Sequence, residues 1–228
     1  MATLPTVLLV EDDRVSRSAT ETVLSGAGLR VVLADTVESG WLLFCEHRPT
    51  VAILDINLPD GSGVDLCRRI RGHKTLGGTA VIMLTGNSGM ESKRGGFDAG
   101  ADQYLVKPVP PEELALWARA LLRRLAIDQG ESDVVVAGDC EIDVKAHAVR
   151  WQGSPCPRLT LKEFDLLYFL VTKSPRVYTR AQILKQVWDT ITVDQVVDAH
   201  LHNLRKKLPA PLAARIQNIP GKGFRFIE

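Results

Sequence analysis

Short apolar runs alternate with longer amphipathic segments along the first half of the chain. The apolar runs occupy residues 6–10, 30–34, 51–55, 80–84 and 103–106, and their ends at polar, Gly or Pro residues are typical of buried strands. The segments between them have helical spacing and predict helices over 14–24, 37–47, 64–71, 88–99 and 110–125. Strands that alternate with helices of this length predict an α/β fold, in which a parallel sheet carries helices on both faces.

Polar side chains stand at the carboxyl ends of four of these strands, as Glu11, Asp12, Asp55, Thr85 and Lys107. Right-handed crossovers place these ends on one rim of the sheet, where open α/β proteins bind ligands. At about 4 Å, each pair of carboxylates would repel by roughly 4 kcal/mol at an effective dielectric constant of about 20, so the cluster requires a cation. Mg²⁺ prefers such oxygen ligands, and it would also neutralise the charge of a phosphoryl group accepted by Asp55.

The pattern changes after residue 125. A polar stretch over 126–133 predicts a linker. Apolar alternation then predicts short antiparallel strands over 134–137, 141–144 and 148–151. Three helices follow, which begin after Thr160, after Thr179 and near residue 194, and a hairpin over 215–227 turns at the sequence PGKG. Three helices and a Gly-tipped hairpin predict an α+β winged helix-turn-helix domain over 134–228, after a first domain over 1–125.

The third helix of this second domain predicts a nucleic-acid surface. Val197, Leu201, Leu204 and Leu208 form its apolar face, and the opposite face is polar with few acids. Side chains of this polar kind contact base edges or phosphates in the major groove, and a Lys at the hairpin tip can reach the DNA backbone. The predicted DNA-contacting residues are His200, His202, Asn203, Arg205, Lys206, Lys207 and Lys222.

Charge and composition narrow the classes of function. Of the net charge of +1, residues 1–130 contribute −2 and residues 131–228 contribute +3, which permits a nucleic-acid partner for the second half. The four Cys residues lack metal-ligand spacing, which favours free thiols in a reducing cytosol. No apolar run approaches the roughly 20 residues of a membrane span, and the N-terminus lacks the basic start of a signal peptide.

The stretches LLVEDD, LDINLPDGSG, MLTG and YLVKP resemble, in this order, the receiver domain of two-component response regulators. The resemblance covers about residues 5–125 and implies a doubly wound, flavodoxin-like sheet with strand order 2-1-3-4-5. It implies that a sensor histidine kinase phosphorylates Asp55. It also implies that Mg²⁺ is held by Glu11, Asp12, Asp55 and the backbone carbonyl of Asn57.

The same resemblance implies a conformational switch. Lys107 would pair with the phosphoryl oxygens and precede a cis bond to Pro108. Thr85 and Tyr104 would form the switch pair, and Gly86 would leave space beside the phosphoryl group.

The resemblance further implies that the switch is reported by homodimerisation through the outer face of the last two strand–helix units. The implied dimer residues are Lys93, Asp98, Glu113, Trp117 and Arg119. Lys93 with Glu113 and Asp98 with Arg119 could form two of the ion pairs that this face carries in the family. Salt bridges are few on this face because Ala99, Gln103 and Trp117 stand where charged partners are usual. Packing of Trp117 within its own domain is an open alternative.

The stretches LTLKEFDLLYFL, VVDAHLHNLRKKL and PGKGFRF resemble the effector domain of OmpR/PhoB-type regulators over about residues 134–228. The resemblance implies a cytoplasmic transcription regulator whose partners are promoter DNA with repeated half-sites and RNA polymerase. Gln195 and Pro220 stand where basic residues are common. Fewer basic contacts predict modest affinity for a monomer, which dimerisation on a repeated site would offset.

Two other functions compete with a phosphorylation-controlled regulator. A phosphatase with an aspartyl-phosphate intermediate would need a second Asp two residues after Asp55, where this chain has Asn57. No metabolic activity is therefore expected beyond slow self-dephosphorylation. A regulator that binds DNA or a protein partner independently of phosphorylation is the second alternative.

Overall fold

The five strands predicted for the first half form one parallel sheet. The computed structural model describes residues 4–73, 75–86, 99–126, 134–188 and 195–228. The chain divides into two compact units, Met1–Ala126 and Ile127–Glu228. In the first unit the elements are β1 (Thr6–Val10), α1 (Arg14–Gly26), β2 (Arg30–Ala34), α2 (Val37–His47), β3 (Val51–Asp55), β4 (Asn57–Leu58), β5 (Gly61–Ser62), α3 (Gly63–Gly72), β6 (Ala80–Thr85), β7 (Gln103–Val106) and α4 (Pro111–Ala126).

The sheet order is β2-β1-β3-β6-β7, which confirms the predicted flavodoxin-like topology. All residues of β3 and β6 are buried, because these central strands are covered on both faces. Helices α1 and α4 contact each other, and α2 contacts α3. The predicted helix over 88–99 lies outside the described residues except at its last position. Asp55 therefore ends the middle strand of the sheet.

The stretch between β3 and α3, for which the sequence predicted neither strand nor helix, contains two short strands. Strands β4 and β5 form a two-residue antiparallel ladder, which pairs Asn57 with Ser62 and Leu58 with Gly61. The side chain of Ser62 then caps α3 by accepting a hydrogen bond from the Val64 N–H at 3.2 Å. The ladder folds the chain tightly back beside the end of β3.

Arg71 ties the end of α3 to the starts of β6 and β7. Its guanidinium donates to the Thr79 carbonyl at 2.5 Å, to the Gly100 carbonyl at 2.7 Å and to the Asp102 carboxylate at 2.7 Å. Asp102 is fully buried and also accepts from the Val81 N–H at 2.8 Å. Because the carboxylate is satisfied by a charge and a backbone donor, its burial is tolerated.

The second unit contains a four-stranded antiparallel sheet and a group of helices that ends in a hairpin. Its elements are β8 (Val134–Ala137), β9 (Cys140–Asp143), β10 (Ala148–Trp151), β11 (Ser154–Pro155), α5 (Leu161–Thr172), α6 (Arg180–Val187), α7 (Gln195–Lys207), α8 (Ala210–Arg215), β12 (Ile216–Ile219) and β13 (Gly223–Phe226). Helix α5 contacts both α6 and α7, as the predicted winged-helix fold requires. The prediction placed β9 one residue later and omitted β11 and α8.

The hairpin β12–β13 is anchored to the segment before α6. The backbones of Tyr178 and Phe224 exchange hydrogen bonds of 2.8 and 2.9 Å. Gly223 has a φ of +129°, and a Cβ at this position would overlap the Tyr178 carbonyl. The wing is therefore held to the helices by its base, which leaves its tip at Lys222 exposed.

The four cysteines are free thiols, as their spacing predicted. Burial raises the pKa of the Cys67 and Cys140 thiols to about 11. Within the described residues, no helix is both long enough and apolar enough to cross a membrane.

Gly63 provides a test of the close packing beside Asp55. A Cβ at Gly63 would overlap the Asp55 carbonyl, so we expect Gly63→Ala to lower the free energy of unfolding by about 1–3 kcal/mol. Gly72 ends the same helix and has no atom within 4 Å of a built Cβ, so Gly72→Ala is the control. Urea denaturation of the full chain measures both variants, and equal stabilities would contradict this packing.

Candidate functional site

Three carboxylates meet at the carboxyl rim of the first sheet. One oxygen from each of Glu11, Asp12 and Asp55 lies within 4.8 Å of the others. Glu11 is 3% exposed and Asp55 is 4% exposed, whereas Asp12 faces solvent. Three hard oxygen donors at this spacing can hold a divalent metal ion.

Lys107 supplies the positive charge that this pocket requires. Its Nζ donates to Glu11 Oε2 and to Asp55 Oδ2, each at 2.5 Å. Burial raises the pKa of Glu11, and the neighbouring Asp55 adds to the rise, although the contact with Lys107 opposes it. Burial by itself would lower the pKa of Lys107, but hydrogen bonds to Asp55 and Glu11 outweigh burial and raise it. The pocket therefore attracts cations and holds Lys107 charged.

The loop after β1 is shaped so that its acids face Asp55. Arg17 donates to the Glu11 carbonyl at 2.5 Å and to the Asp12 carbonyl at 3.2 Å. Asp13 caps α1 by accepting from the Ser16 N–H at 2.7 Å, a contact that lowers the pKa of Asp13. Arg17 was not among the sequence-predicted site residues, because its partners are backbone carbonyls that no side-chain pattern reveals.

On the opposite side of the pocket, Asn57 and the loop after β7 approach Asp55. The Asn57 N–H donates to Asp55 Oδ1 at 3.1 Å. The Lys107 N–H donates to the Thr85 carbonyl at 2.7 Å, which joins the ends of β6 and β7. The peptide bond between Lys107 and Pro108 is cis, as the resemblance implied. The predicted residues of the rim are thus brought together around one carboxylate.

Thr85 and Tyr104 lie on one face of the sheet beside this pocket. Tyr104 pairs with Met83, and Met83 shares a face with Thr85 because side chains alternate along a strand. Both Thr85 and Tyr104 are buried. Gly86 follows Thr85 on the exposed rim, and no described atom lies within 4 Å of a Cβ built there.

The predicted dimer residues are only partly described. Glu113 and Arg119 are exposed on α4, and Trp117 between them is half-buried. Lys93 and Asp98 lie outside the described residues, so the structure does not place the ion pairs expected from them.

In the second unit, part of the predicted DNA-contacting set lies on the surface. His202 and Lys206 are exposed on α7, Asn203 beside them is half-buried, and Lys222 is exposed at the wing tip. The bidentate pair of Arg180 with Asp198, at 2.8 Å for each contact, joins α6 to the start of α7. Sequence reasoning missed this pair, whose partners are 18 positions apart.

The structure corrects the prediction for His200. This side chain is fully buried, and its ring lies 5.1 Å from the Trp188 ring. The reason is helical periodicity, since His200 follows Val197 by three positions and precedes Leu204 by four, and both are buried. His200 belongs to the core of the domain and is not a DNA contact.

Arg205 and Lys207 each make a contact within the domain. Arg205 donates to the Ile216 carbonyl at 2.8 Å, which fixes the start of the wing. Lys207 pairs at 2.7 Å with Glu163, a buried acid that also accepts from the Thr160 N–H at 2.7 Å. The capping box at Thr160 and Glu163 was visible in the sequence, but the link to α7 was not.

Comparisons with known proteins match both units. Residues 7–119 match the family model of the response regulator receiver domain. Residues 154–226 match the model described as transcriptional regulatory protein, C terminal.

Several proteins are similar to this chain over nearly its whole length. The phosphate regulon transcriptional regulatory protein PhoB of Pseudomonas aeruginosa is 32% identical over 223 residues, which cover 97% of this chain and 96% of PhoB. The KDP operon transcriptional regulatory protein KdpE of Escherichia coli is 34% identical over 225 residues, or 97% and 98% of the two chains. The crystal structure of DrrB, an OmpR/PhoB homologue from Thermotoga maritima, aligns with a TM-score of 0.51 and 32% identity over 99% of this chain and 100% of DrrB.

These matches extend over nearly the whole chain and include both functional surfaces. They indicate a kinase and DNA as partners and a regulatory rather than metabolic role. The chain therefore belongs to the OmpR/PhoB-type two-component response regulators, which control transcription.

Proposed function

We propose that Asp55 is the phosphoacceptor of this regulator, with a sensor histidine kinase as donor and Mg²⁺ as cofactor. The observation that carries the proposal is the pocket in which Lys107 bridges the buried carboxylates of Glu11 and Asp55, each at 2.5 Å. Mg²⁺ held by Glu11, Asp12, Asp55 and the Asn57 carbonyl would neutralise charge on the phosphoryl oxygens.

The pocket residues have separate roles in the transfer. A carboxylate oxygen of Asp55 forms a bond to phosphorus while the bond from phosphorus to the kinase histidine nitrogen breaks, and that nitrogen keeps the electron pair. Lys107 already contacts Asp55, so its ammonium group needs only a small shift to pair with the new phosphoryl oxygens. The open space at Gly86 leaves room for those oxygens.

Phosphorylation would then act through Thr85 and Tyr104. It adds about −1.5 to −2 charges at the rim, which draws the Thr85 hydroxyl toward the phosphoryl group. Because Thr85 and Tyr104 share one face of neighbouring strands, movement of the first changes the space available to the second. This repacking biases the outer face of the domain between two states.

The phosphorylated protein would then assemble on promoter DNA in the cytoplasm. The proposed domains are a receiver over 1–125, a linker over 126–133 and a DNA-binding domain over 134–228. Homodimerisation would place two DNA-binding domains on repeated half-sites, where RNA polymerase is recruited. The proposed dimer residues are Lys93, Asp98, Glu113, Trp117 and Arg119, of which Glu113 and Arg119 are exposed on α4.

The assignment of Asp55 predicts a single modified residue. Incubation of the full chain with acetyl phosphate and Mg²⁺ should add the mass of one phosphoryl group, as measured by intact-protein mass spectrometry. Asp55→Asn should abolish the addition because no carboxylate nucleophile remains. Asp65→Asn, which changes an exposed acid on α3, is the control and should be modified like the wild type. Modification of the Asp55→Asn variant at the wild-type rate would contradict the assignment.

The bridging position of Lys107 predicts competition between its ammonium group and Mg²⁺. Lys107→Met removes the charge that balances the pocket, so we expect Mg²⁺ to bind several-fold more tightly. The same variant should accept phosphate more slowly, because one phosphoryl contact is lost. The rise in melting temperature with MgCl₂ concentration reports the affinity, and Lys185→Met, which changes an exposed residue of α6, is the control. Weaker Mg²⁺ binding by Lys107→Met would refute the competition.

The exposed cations of the second unit predict non-specific contacts with DNA phosphates. Lys206→Ala and Lys222→Ala should each weaken binding of all duplex sequences and lower the slope of log affinity against log salt by about 1. Arg150→Ala, which changes an exposed residue of β10, should leave the slope unchanged. Fluorescence anisotropy titrations at several salt concentrations measure these slopes. Unchanged slopes for both Lys variants would exclude this surface as the DNA contact.

A further inference from the structure

Several polar side chains of helix α7 make contacts within their own domain. His200 is buried, Arg205 donates to the Ile216 carbonyl, and Lys207 pairs with Glu163. Among the described residues, the outward positions without such internal contacts are Ala199, His202, Asn203 and Lys206. They are spaced three and four apart and so form one stripe along the helix.

The charge of this stripe is also low. Asp198 lies next to it, but the bidentate contact with Arg180 neutralises that acid. Lys206 is then the one permanent cation among the stripe residues. An ammonium group binds phosphates as a point charge, whereas sequence is read by groups that combine directional donors and acceptors. The neutral residues of the stripe are therefore the ones expected to read the DNA sequence.

Asn203 has the chemistry for one particular base. Its amide presents a donor and an acceptor side by side, which match N7 and the N6 amino group of adenine in the major groove. Ala199 lies one turn before Asn203 on the same stripe, and its side chain is a single methyl group. Asn203 is half-buried, so its side chain has fewer orientations to lose on binding than an exposed one.

We propose that Asn203 is a specificity-determining residue that selects an adenine at one fixed position of each half-site. This inference rests on the proposed function of the second unit in DNA binding. Lys222 at the wing tip and Lys206 on the helix would contribute affinity through phosphates without sequence preference. The operator would then be recognised through an A·T pair rather than through the guanine contacts that an Arg would make.

The test is a selection of binding sites from a random duplex library with the full chain, Mg²⁺ and beryllofluoride. The wild type should enrich adenine at one position in each half-site. Asn203→Ala should lose the preference at that position alone, and Asn203→Arg should change it to guanine. Lys222→Ala is the matched control and should recover the wild-type sequence with lower affinity.

Titration of the recovered duplex measures how much affinity depends on the selected adenine. Replacing the selected adenine by guanine should weaken wild-type binding by roughly 5- to 150-fold and should weaken binding of Asn203→Ala much less. The inference is overturned if a folded Asn203→Ala variant, verified by its thermal melt, recovers the same sequence at every position. A wild type that enriches no sequence would overturn the inference together with the proposed DNA-binding function.

Discussion

The electrostatic balance at the rim of the first sheet is the constraint on which the receiver depends. Topology brings the carboxylates of Glu11, Asp12 and Asp55 together, and burial of two of them makes their mutual repulsion costly. Lys107 relieves that repulsion by bridging Glu11 and Asp55, and Arg17 fixes the loop that carries the first two acids. Because this pocket needs a positive charge even without a phosphoryl group, it is suited to bind a metal ion and to accept a phosphoryl group. The same charges can therefore stabilise the fold and support its chemistry.

Strands β6 and β7 run in parallel from the opposite edge of the sheet to this pocket. Lys107 is hydrogen-bonded through its backbone to Thr85, so the ends of β6 and β7 are coupled at the rim. At the other end of these strands, Arg71 and the buried Asp102 form a fixed anchor. Under the proposed function, a change of charge at Asp55 would act on strands whose opposite ends are fixed by these contacts. This arrangement favours repacking of Thr85 and Tyr104 over deformation of the whole domain.

Local pattern and topology together were sufficient to predict most of the fold and the rim of the receiver. Short apolar runs ending in Asp55 or in Lys107 indicate strands, and the crossover rule brings their ends together although 52 positions separate the two residues. The second unit was harder, because His200 was included among the DNA-contacting residues, whereas helical periodicity and the contact with Trp188 place it in the core. The partners of Lys207 and Arg180 were not predictable, since they are long-range contacts that no local pattern encodes. Contacts of this kind determine which residues of helix α7 have no partner within the described part of the domain and can contact DNA.

The affinity of the full chain for its selected operator, measured with and without Mg²⁺ and beryllofluoride, shows whether the charge in the Asp55 pocket controls DNA binding. Beryllofluoride occupies the phosphoryl position without covalent transfer, so the result depends on the pocket rather than on a donor. We expect the wild type to bind at least about ten-fold more tightly with beryllofluoride, a shift of about 1.4 kcal/mol, and Asp55→Asn to show no change. Equal affinities of the wild type in both conditions would contradict this expectation, and would indicate a regulator whose DNA binding is independent of phosphorylation.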